Sequence, residues 1–229
     1  MEALILCAGK SKRARNKKQI LSKLLFYYKS QTLLQFHIKK AIKFNLSKLY
    51  FNVFFQKKKI IDNIKKNING MNYKIIKEKK LMGTCGALQA LKKKIKKPFF
   101  VIYPDNISDC NYDKMVTFHN KNKSDLTIAT YLENNTKNSG LINFNKNNLV
   151  SSFEEKKNKK FKKPKWCNAG IYILSSKIIN ILDKKDKDFA KDLFPRIIKL
   201  GFKLYVFKIN KLLTFDTLKL YNKNKLKII

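Results

Sequence analysis

The sequence is short of the features that would place it at once. Of its 52 basic residues only Arg13, Arg15 and Arg196 are arginine. Proteins that read nucleic acid favour the planar, bidentate guanidinium, so the formal net charge of +37 argues only weakly for a nucleic-acid partner, and none is expected. The lysines run through the whole chain among abundant Asn, Ile, Phe and Tyr, the mix that A/T-rich codons encode. Attraction of small phosphorylated substrates follows from such a charge whatever its origin. The four cysteines, Cys7, Cys85, Cys110 and Cys167, form no C-x-x-C pair and stand far from His37 and His119. That argues against a zinc site or a disulfide framework and for reduced, partly buried thiols. No apolar run approaches the ~18 residues that span a bilayer. The chain opens on a strand-like run with no charged leader before it, so no signal peptide and no membrane insertion are expected, and the expected compartment is the cytoplasm.

What is present is enough apolar material to fold. Hydrophobic residues make up 44% and aromatics 12% of 229 residues, which excludes wholesale disorder and suits one α/β domain with room for a small lobe. Residues 3–6 (ALIL) read as a buried parallel strand. They break into Ala8-Gly9-Lys10-Ser11-Lys12-Arg13, small residues followed by cations. Backbone N–H groups in such a turn can approach phosphate oxygens, and the cations can neutralise them. The stretch matches neither G-x-G-x-x-G nor the P-loop pattern.

Beyond it, Leu34, Ile38, Ala41 and Ile42 fall at helical spacing, and His37 reads as a surface or internally satisfied helix residue. Residues 49–55 (LYFNVFF) are strand-like. Ile60, Ile61, Ile64 and Ile68 mark a second helix closed by Gly70, and 73–77 a third strand. Alternating strands and helices predict parallel pairing through right-handed crossovers. Gly83 and Gly86 flank a turn opening into a helix that carries Leu88 and Leu91. Residues 99–103 (FFVIY) are the most apolar strand and end in Pro104-Asp105-Asn106. A carboxylate at the C-terminal end of such a strand lies where open α/β sheets bind ligands, although a turn or capping aspartate is the ordinary use of the pattern. A helix (112–119) and a strand (126–131) follow. The texture then changes to short strands at 141–145 and 149–153, a lysine-rich loop to residue 165, and a strand at 169–174. Helices near 175–182 and 189–199, a last strand at 205–209 and a helix from about Thr217 complete the chain.

Taken together, these motifs resemble the sugar-1-phosphate nucleotidyltransferases in their compact form. The opening LCAGKSKR is similar to the family's L-[AG]-[AG]-G-x-[GS]-x-R loop, and Ser22-Lys23-Leu24-Leu25 to its P-K-x-L segment. Met82 to Leu88 (MGTCGAL) resembles L-G-T-A-G-A-L, and Tyr103-Pro104-Asp105-Asn106 stands where the family has x-G-D-N. Phe153-Glu154-Glu155-Lys156 resembles F-x-E-K-P, and Asn168-Ala169-Gly170-Ile171-Tyr172 is N-A-G-I-Y unchanged. Each is weak alone, but six in order along nearly all of the chain are not. The last two lean towards heptose- or mannose-1-phosphate guanylyltransferases.

The resemblance implies a Rossmann-like, mostly parallel sheet sandwiched by helices, with a small acceptor-binding β lobe. It implies a single domain, 1–229, with a nucleotide-binding half (1–131) and a sugar-phosphate-binding half (132–229). The implied partners are an NTP and a sugar 1-phosphate; a homo-oligomer is compatible with it. Arg13, Lys23 and Asp105 would be catalytic. Leu6, Ala8, Gly9, Lys10, Glu78, Gly83, Thr84 and Gly86 would bind the nucleotide, and Gly140, Glu155, Lys156 and Asn168 the sugar phosphate. Mg2+ would be held by Asp105 and Asp216. The last assignment departs from the family, whose D-x-G-T pattern puts Thr214 in the metal register. Ser22 and Pro104 also replace the usual proline and glycine. Three other readings compete: a phosphocholine-type cytidylyltransferase with Trp166, Tyr131 and Phe161 as an aromatic cage, a catalytically weakened regulatory homologue, and a non-specific nucleic-acid binder.

Overall fold

The opening apolar run forms β1 (Glu2–Cys7), with Ala3, Leu4 and Ile5 wholly buried. The structure, a computed structural model, describes residues 1–14, 21–134, 140–154 and 163–227. They fall into two compact units, neither continuous in sequence: Met1–Leu81 with Ile102–Ser108 and Leu212–Ile229, and Met82–Val101 with Asp109–Lys211.

In the first unit β1 pairs in parallel with β4 (Lys48–Val53), and β4 with β5 (Tyr73–Lys77). A short hairpin, β2 (Tyr27–Tyr28) and β3 (Gln31–Thr32), leads into α1 (Leu33–Lys43). Thr32 caps α1 in a reciprocal box with Gln35, which satisfies two of the amides a helix start leaves open. Leu33, Leu34, His37, Ile38 and Ala41 face inward, whereas Ile42, expected on that face, is exposed. Helix α2 (Lys57–Asn67) buries Ile60 and Ile64 and ends just before Gly70, whose φ of 68° is the left-handed geometry glycine tolerates.

The first unit also contains a two-stranded antiparallel ribbon, β7 (Asn106–Ser108) with β13 (Leu212–Thr214), followed by α7 (Leu218–Asn224). The chain's last strand is therefore β13, and β12 (Leu204–Lys208) is the one before it. Ile107 of the ribbon and Phe215 just after it are fully buried with Tyr28 and Leu33, and Phe36, Leu213 and Tyr221 pack around them.

The second unit holds α3 (Gly83–Gln89) and the first three residues of β6 (Phe99–Ile102), a strand whose every residue is buried. After α4 (Tyr112–Lys121), β8 (Leu126–Glu133) pairs in parallel with β12 and antiparallel with the long β11 (Lys165–Leu174). Strand β9 (Leu141–Phe144) joins β11 and β10 (Val150–Glu154), both antiparallel. Helices α5 (Ser176–Asn180) and α6 (Phe194–Lys199) complete the unit, the second preceded by a wide turn over Phe189–Leu193. Its core is aromatic: Tyr172, Phe189 and Phe194 meet with ring centroids 5.2 to 6.0 Å apart. All four cysteines are buried and free. Among the described residues no helix is long and apolar enough to cross a membrane.

Both histidines are buried, not superficial. Burial, with the Lys40 charge, lowers His37 to about 3, and burial lowers His119 to about 4. Above pH 6.5 these imidazoles are neutral in folded and unfolded chains alike. Below it the unfolded chain takes up protons the folded one refuses, so stability falls with pH, by up to about 1.4 kcal/mol per pH unit for each such group. Urea midpoints should therefore drop steadily from pH 7 to pH 4. A His119→Gln variant, keeping a polar partner for Thr127 Oγ1 (2.8 Å from His119 Nδ1), should show a shallower slope.

Candidate active site

The residues singled out at the N-terminus converge on one ionic cluster in the first unit. Loop residues Gly9 and Lys10 are exposed, Leu6 is half-buried and Ala8 is buried. Ser11 takes a φ of 53°, and its Oγ accepts from the Lys23 amide at 3.0 Å. The loop is thus tied to the segment that carries Lys23, and Arg13 sits on the short turn Lys12–Ala14 that follows.

Lys23 Nζ donates to Asp105 Oδ2 and, at 2.9 Å, to Asp216 Oδ1. Arg13 Nη2 reaches the same Asp216 carboxylate, 2.9 Å from Oδ1 and 2.7 Å from Oδ2. The lysine and both aspartates are largely buried, with side-chain exposures of 13 to 18%, whereas Arg13 is 53% exposed. Burial pulls the Lys23 ammonium down, but the two carboxylates outweigh it and hold it above the ordinary lysine range. Burial likewise pushes Asp105 up, and Lys23 outweighs that and holds its carboxyl below the usual range. Lys23 and Asp105 are therefore charged at neutral pH.

The ribbon explains why Asp216, and not Thr214, arrives there. Thr214 is paired with Asn106 in the ladder, and the Phe215 amide donates to the Asp105 carbonyl at 2.9 Å. Phe215 points into the core, so the next residue, Asp216, turns to the opposite side and meets Lys23. Thr217 then caps α7 through the Leu220 amide at 3.2 Å.

Glu78 lies buried at the end of β5's approach to β4. Its Oε1 accepts from Asn52 Nδ2 at 2.7 Å, and Asn52 Oδ1 accepts from the Cys7 amide at 2.9 Å. This chain fixes the last residue of β1, where the loop begins. Asn52 was not among the expected residues; the one polar residue in LYFNVFF was the available signal.

The remaining expected residues belong to the second unit or lie outside the described residues. A Cβ on Gly83 (φ 79°) would lie 2.2 Å from the Lys187 carbonyl oxygen, and one on Gly86 2.5 Å from Met82 Cβ. Both glycines thus have a packing reason for being there. Thr84 Oγ1 donates to Asp188 Oδ2 at 3.2 Å and accepts from the Phe189 amide at 3.1 Å. Gly140 packs on Phe153 without room for a side chain, and its carbonyl accepts from the Asn168 amide at 2.9 Å. Asn168 Nδ2 donates to Tyr172 Oη at 2.7 Å and its Oδ1 accepts from the Gly170 amide at 2.9 Å. Between these residues β11 shifts register against β8, and Gly170 has φ 73°. The NAGIY motif therefore reads as a bulge: the asparagine bridges it, the glycine bends it and the tyrosine anchors it. Glu155, Lys156 and Phe161 lie outside the described residues. Trp166 already carries a cation, with Lys208 Nζ 5.3 Å from its ring centroid.

Comparison with known proteins bears on the family and the fold. A family model described as nucleotidyl transferase matches residues 2–212. The chain belongs to the nucleotidyl transferase family. It is 28% identical over 215 residues to the bifunctional protein GlmU of Methanococcus maripaludis, covering 92% of this chain and 50% of that protein. It is also 28% identical over 187 residues to the D-glycero-alpha-D-manno-heptose 1-phosphate guanylyltransferase of Campylobacter jejuni, covering 82% and 81%. The chain spans only about half the length of several curated relatives it matches. The crystal structure of HddC from Yersinia pseudotuberculosis superposes with a TM-score of 0.81 over 98% of this chain and 97% of that one, at 22% identity. That likeness speaks for the mixed α/β fold alone. The family match ends four residues before Asp216, so the place of that carboxylate comes from the ribbon geometry.

Removing the central cation leaves two buried carboxylates facing each other. Lys23→Met should therefore destabilise the protein by about 3 kcal/mol, the usual cost of breaking a buried pair from one side. Differential scanning calorimetry at pH 7.5 should show the loss, and Mg2+ should recover part of it in the variant.

Proposed function

We propose that this nucleotidyl transferase family member moves a nucleoside monophosphate from an NTP to a sugar 1-phosphate, releasing pyrophosphate. A phosphate oxygen of the acceptor attacks the α-phosphorus in line; a P–O bond forms to it, the α–β bridging bond breaks, and the electron pair leaves with pyrophosphate. Such a transfer needs positioning and charge neutralisation rather than a side-chain nucleophile. The observation that carries the proposal is the convergence of Lys23 and Arg13 on Asp105 and Asp216 at the loop following β1.

In this reading the loop of Ala8, Gly9 and Lys10 receives the triphosphate, and Arg13, with its guanidinium half exposed, meets the phosphate oxygens. Lys23 exchanges its carboxylate partners for phosphate oxygens as substrate arrives. The donor set suits Mg2+. Two hard carboxylates already converge on a single cation, and among the described residues no third acidic, histidine or cysteine side chain completes a protein cage. Mg2+ is commonly held by one or two carboxylates with substrate phosphates and water supplying the rest. Asp105 and Asp216 would hold it, and when bound it supplies positive charge against the transferring phosphate. In the second unit Gly83, Thr84 and Gly86 would shape the surface for the base. Asn168, through the bulge it bridges, would shape the acceptor side, with Glu155 and Lys156 assigned to the sugar hydroxyls and phosphate by motif. Glu78 acts from beneath the loop, through Asn52. The phosphocholine alternative gains no support from Trp166, whose ring Lys208 already covers.

The test is pyrophosphate release with Mg2+ across GTP, CTP, UTP, dTTP and ATP, against a panel of sugar 1-phosphates and phosphocholine. One NTP–sugar pair should turn over, and Asp105→Ala should reduce it by at least about a hundredfold, as loss of a transition-state charge group does. A folded protein that binds nucleotide but releases no pyrophosphate with any pair would instead indicate the regulatory homologue.

A further inference from the structure

Strand β7 has two edges, and only one of them faces β13. In an antiparallel pair, residues alternate between those that exchange hydrogen bonds with the partner strand and those whose N–H and C=O groups point away from it. The Phe215 amide bonds the Asp105 carbonyl, so with the register Ile107↔Leu213 the odd-numbered residues of β7 face β13. The carbonyls of Asn106 and Ser108 point to the other side, and α1 meets them there. His37 Nε2 lies 2.9 Å from the Asn106 carbonyl oxygen, and Lys40 Nζ donates to the Ser108 carbonyl oxygen at 2.8 Å.

The two side chains stand three residues apart on α1, one above the other on the same face, and the carbonyls they bind stand two residues apart on one edge of β7. Helix and strand are in register. A carbonyl can only accept, so His37 Nε2 carries the proton and the ring is the neutral Nε2–H tautomer. Its Nδ1 is buried with no partner among the described residues. A buried imidazole held by one bond to a backbone carbonyl, next to Asp105, has no need to be there for packing alone; a leucine would fill the space without leaving a ring nitrogen unpaired.

We infer that His37 and Lys40 are positioning residues that clamp the outer edge of the ribbon and so fix Asp105 relative to Asp216. The inference rests on the proposed transfer reaction for its kinetic consequence, but not for its structural one. Neither side chain touches the reacting atoms in this account. Both act through the backbone that carries the carboxylates, as outer partners of a cation site do.

The experiment compares His37→Leu, His37→Gln and Lys40→Met with the wild type, at a temperature where circular dichroism shows all four fully folded. Three readouts are taken: kcat and KM for the NTP, the dissociation constant of Mn2+ alone by electron paramagnetic resonance, and amide exchange of Ile107 and Leu213. His37→Leu should lose about tenfold or more in kcat and weaken Mn2+ about tenfold, with KM for the NTP within about twofold. Exchange at Ile107 and Leu213 should accelerate in the same variant. His37→Gln, whose amide can still donate to the Asn106 carbonyl, should recover most of each loss, and Lys40→Met should show a smaller change of the same kind. Wild-type Mn2+ affinity and unchanged ribbon exchange in His37→Leu would overturn the clamp. So would equal losses in the leucine and glutamine variants. If the wild type itself transfers no nucleotide, the reading of function fails while exchange and Mn2+ binding still decide the clamp.

Discussion

One buried ammonium holds the candidate site together. Lys23 lies between two carboxylates that are far apart in sequence; their charges hold its ammonium protonated below the surface, and it in turn keeps Asp105 ionised. A buried ion pair is seldom a net source of stability, because desolvation offsets most of the Coulomb gain. Its retention in a chain with so many exposed lysines points to use rather than to scaffolding. In the proposed reaction the arrangement is poised: a cation already sits where one would be needed, and its partners are oxygen atoms that a divalent ion could share.

The ribbon supplies the geometry. Asp105 leaves the end of one strand and Asp216 follows another near the C-terminus, and the Phe215 amide on the Asp105 carbonyl locks the two backbones together. Beneath it, Phe215, Ile107 and Tyr28 form a small apolar cluster that makes the alternation of the strand unambiguous. A slip of one residue would bury Asp216 and expose Phe215, a costly exchange in both directions. The same alternation directs the backbone carbonyls of β7 towards α1. Charge placement, packing and the outer hydrogen bonds thus follow from a single register.

Much of this was legible in the sequence. Strands β1, β4 and β5 and helices α1 and α2 follow from apolar runs and helical spacing, and the loop after β1, Lys23 and Asp105 emerge as pieces of a motif series. Asp216 was reached only as a departure from a family register; it took the pairing of β13 with β7 to show why Phe215 occupies the inward position. Strand β7 itself was missed because three residues after a proline and an aspartate carry no periodicity. His37 and Lys40 were legible only as a helix pair at i and i+3, since what they bind is backbone, and backbone carbonyls have no sequence signature. Asn52 left a trace, a polar residue in an apolar strand. The two motif glycines, Gly83 and Gly86, carried a functional expectation, and packing within their own unit supplies a sufficient physical reason for each.

The central claim is that Asp105 and Asp216 act as one cation-binding unit, despite the family pattern that would put Thr214 in the second place. Titration calorimetry of Mn2+ into the wild type, Asp216→Asn and Thr214→Val, each saturated with a non-hydrolysable NTP analogue, tests this most directly. The account predicts tight Mn2+ binding in the wild type and the Thr214 variant, and a loss of at least about tenfold in affinity for Asp216→Asn, the usual consequence of removing a carboxylate ligand from such a site. Unchanged affinity in Asp216→Asn, or a loss confined to Thr214→Val, would contradict it.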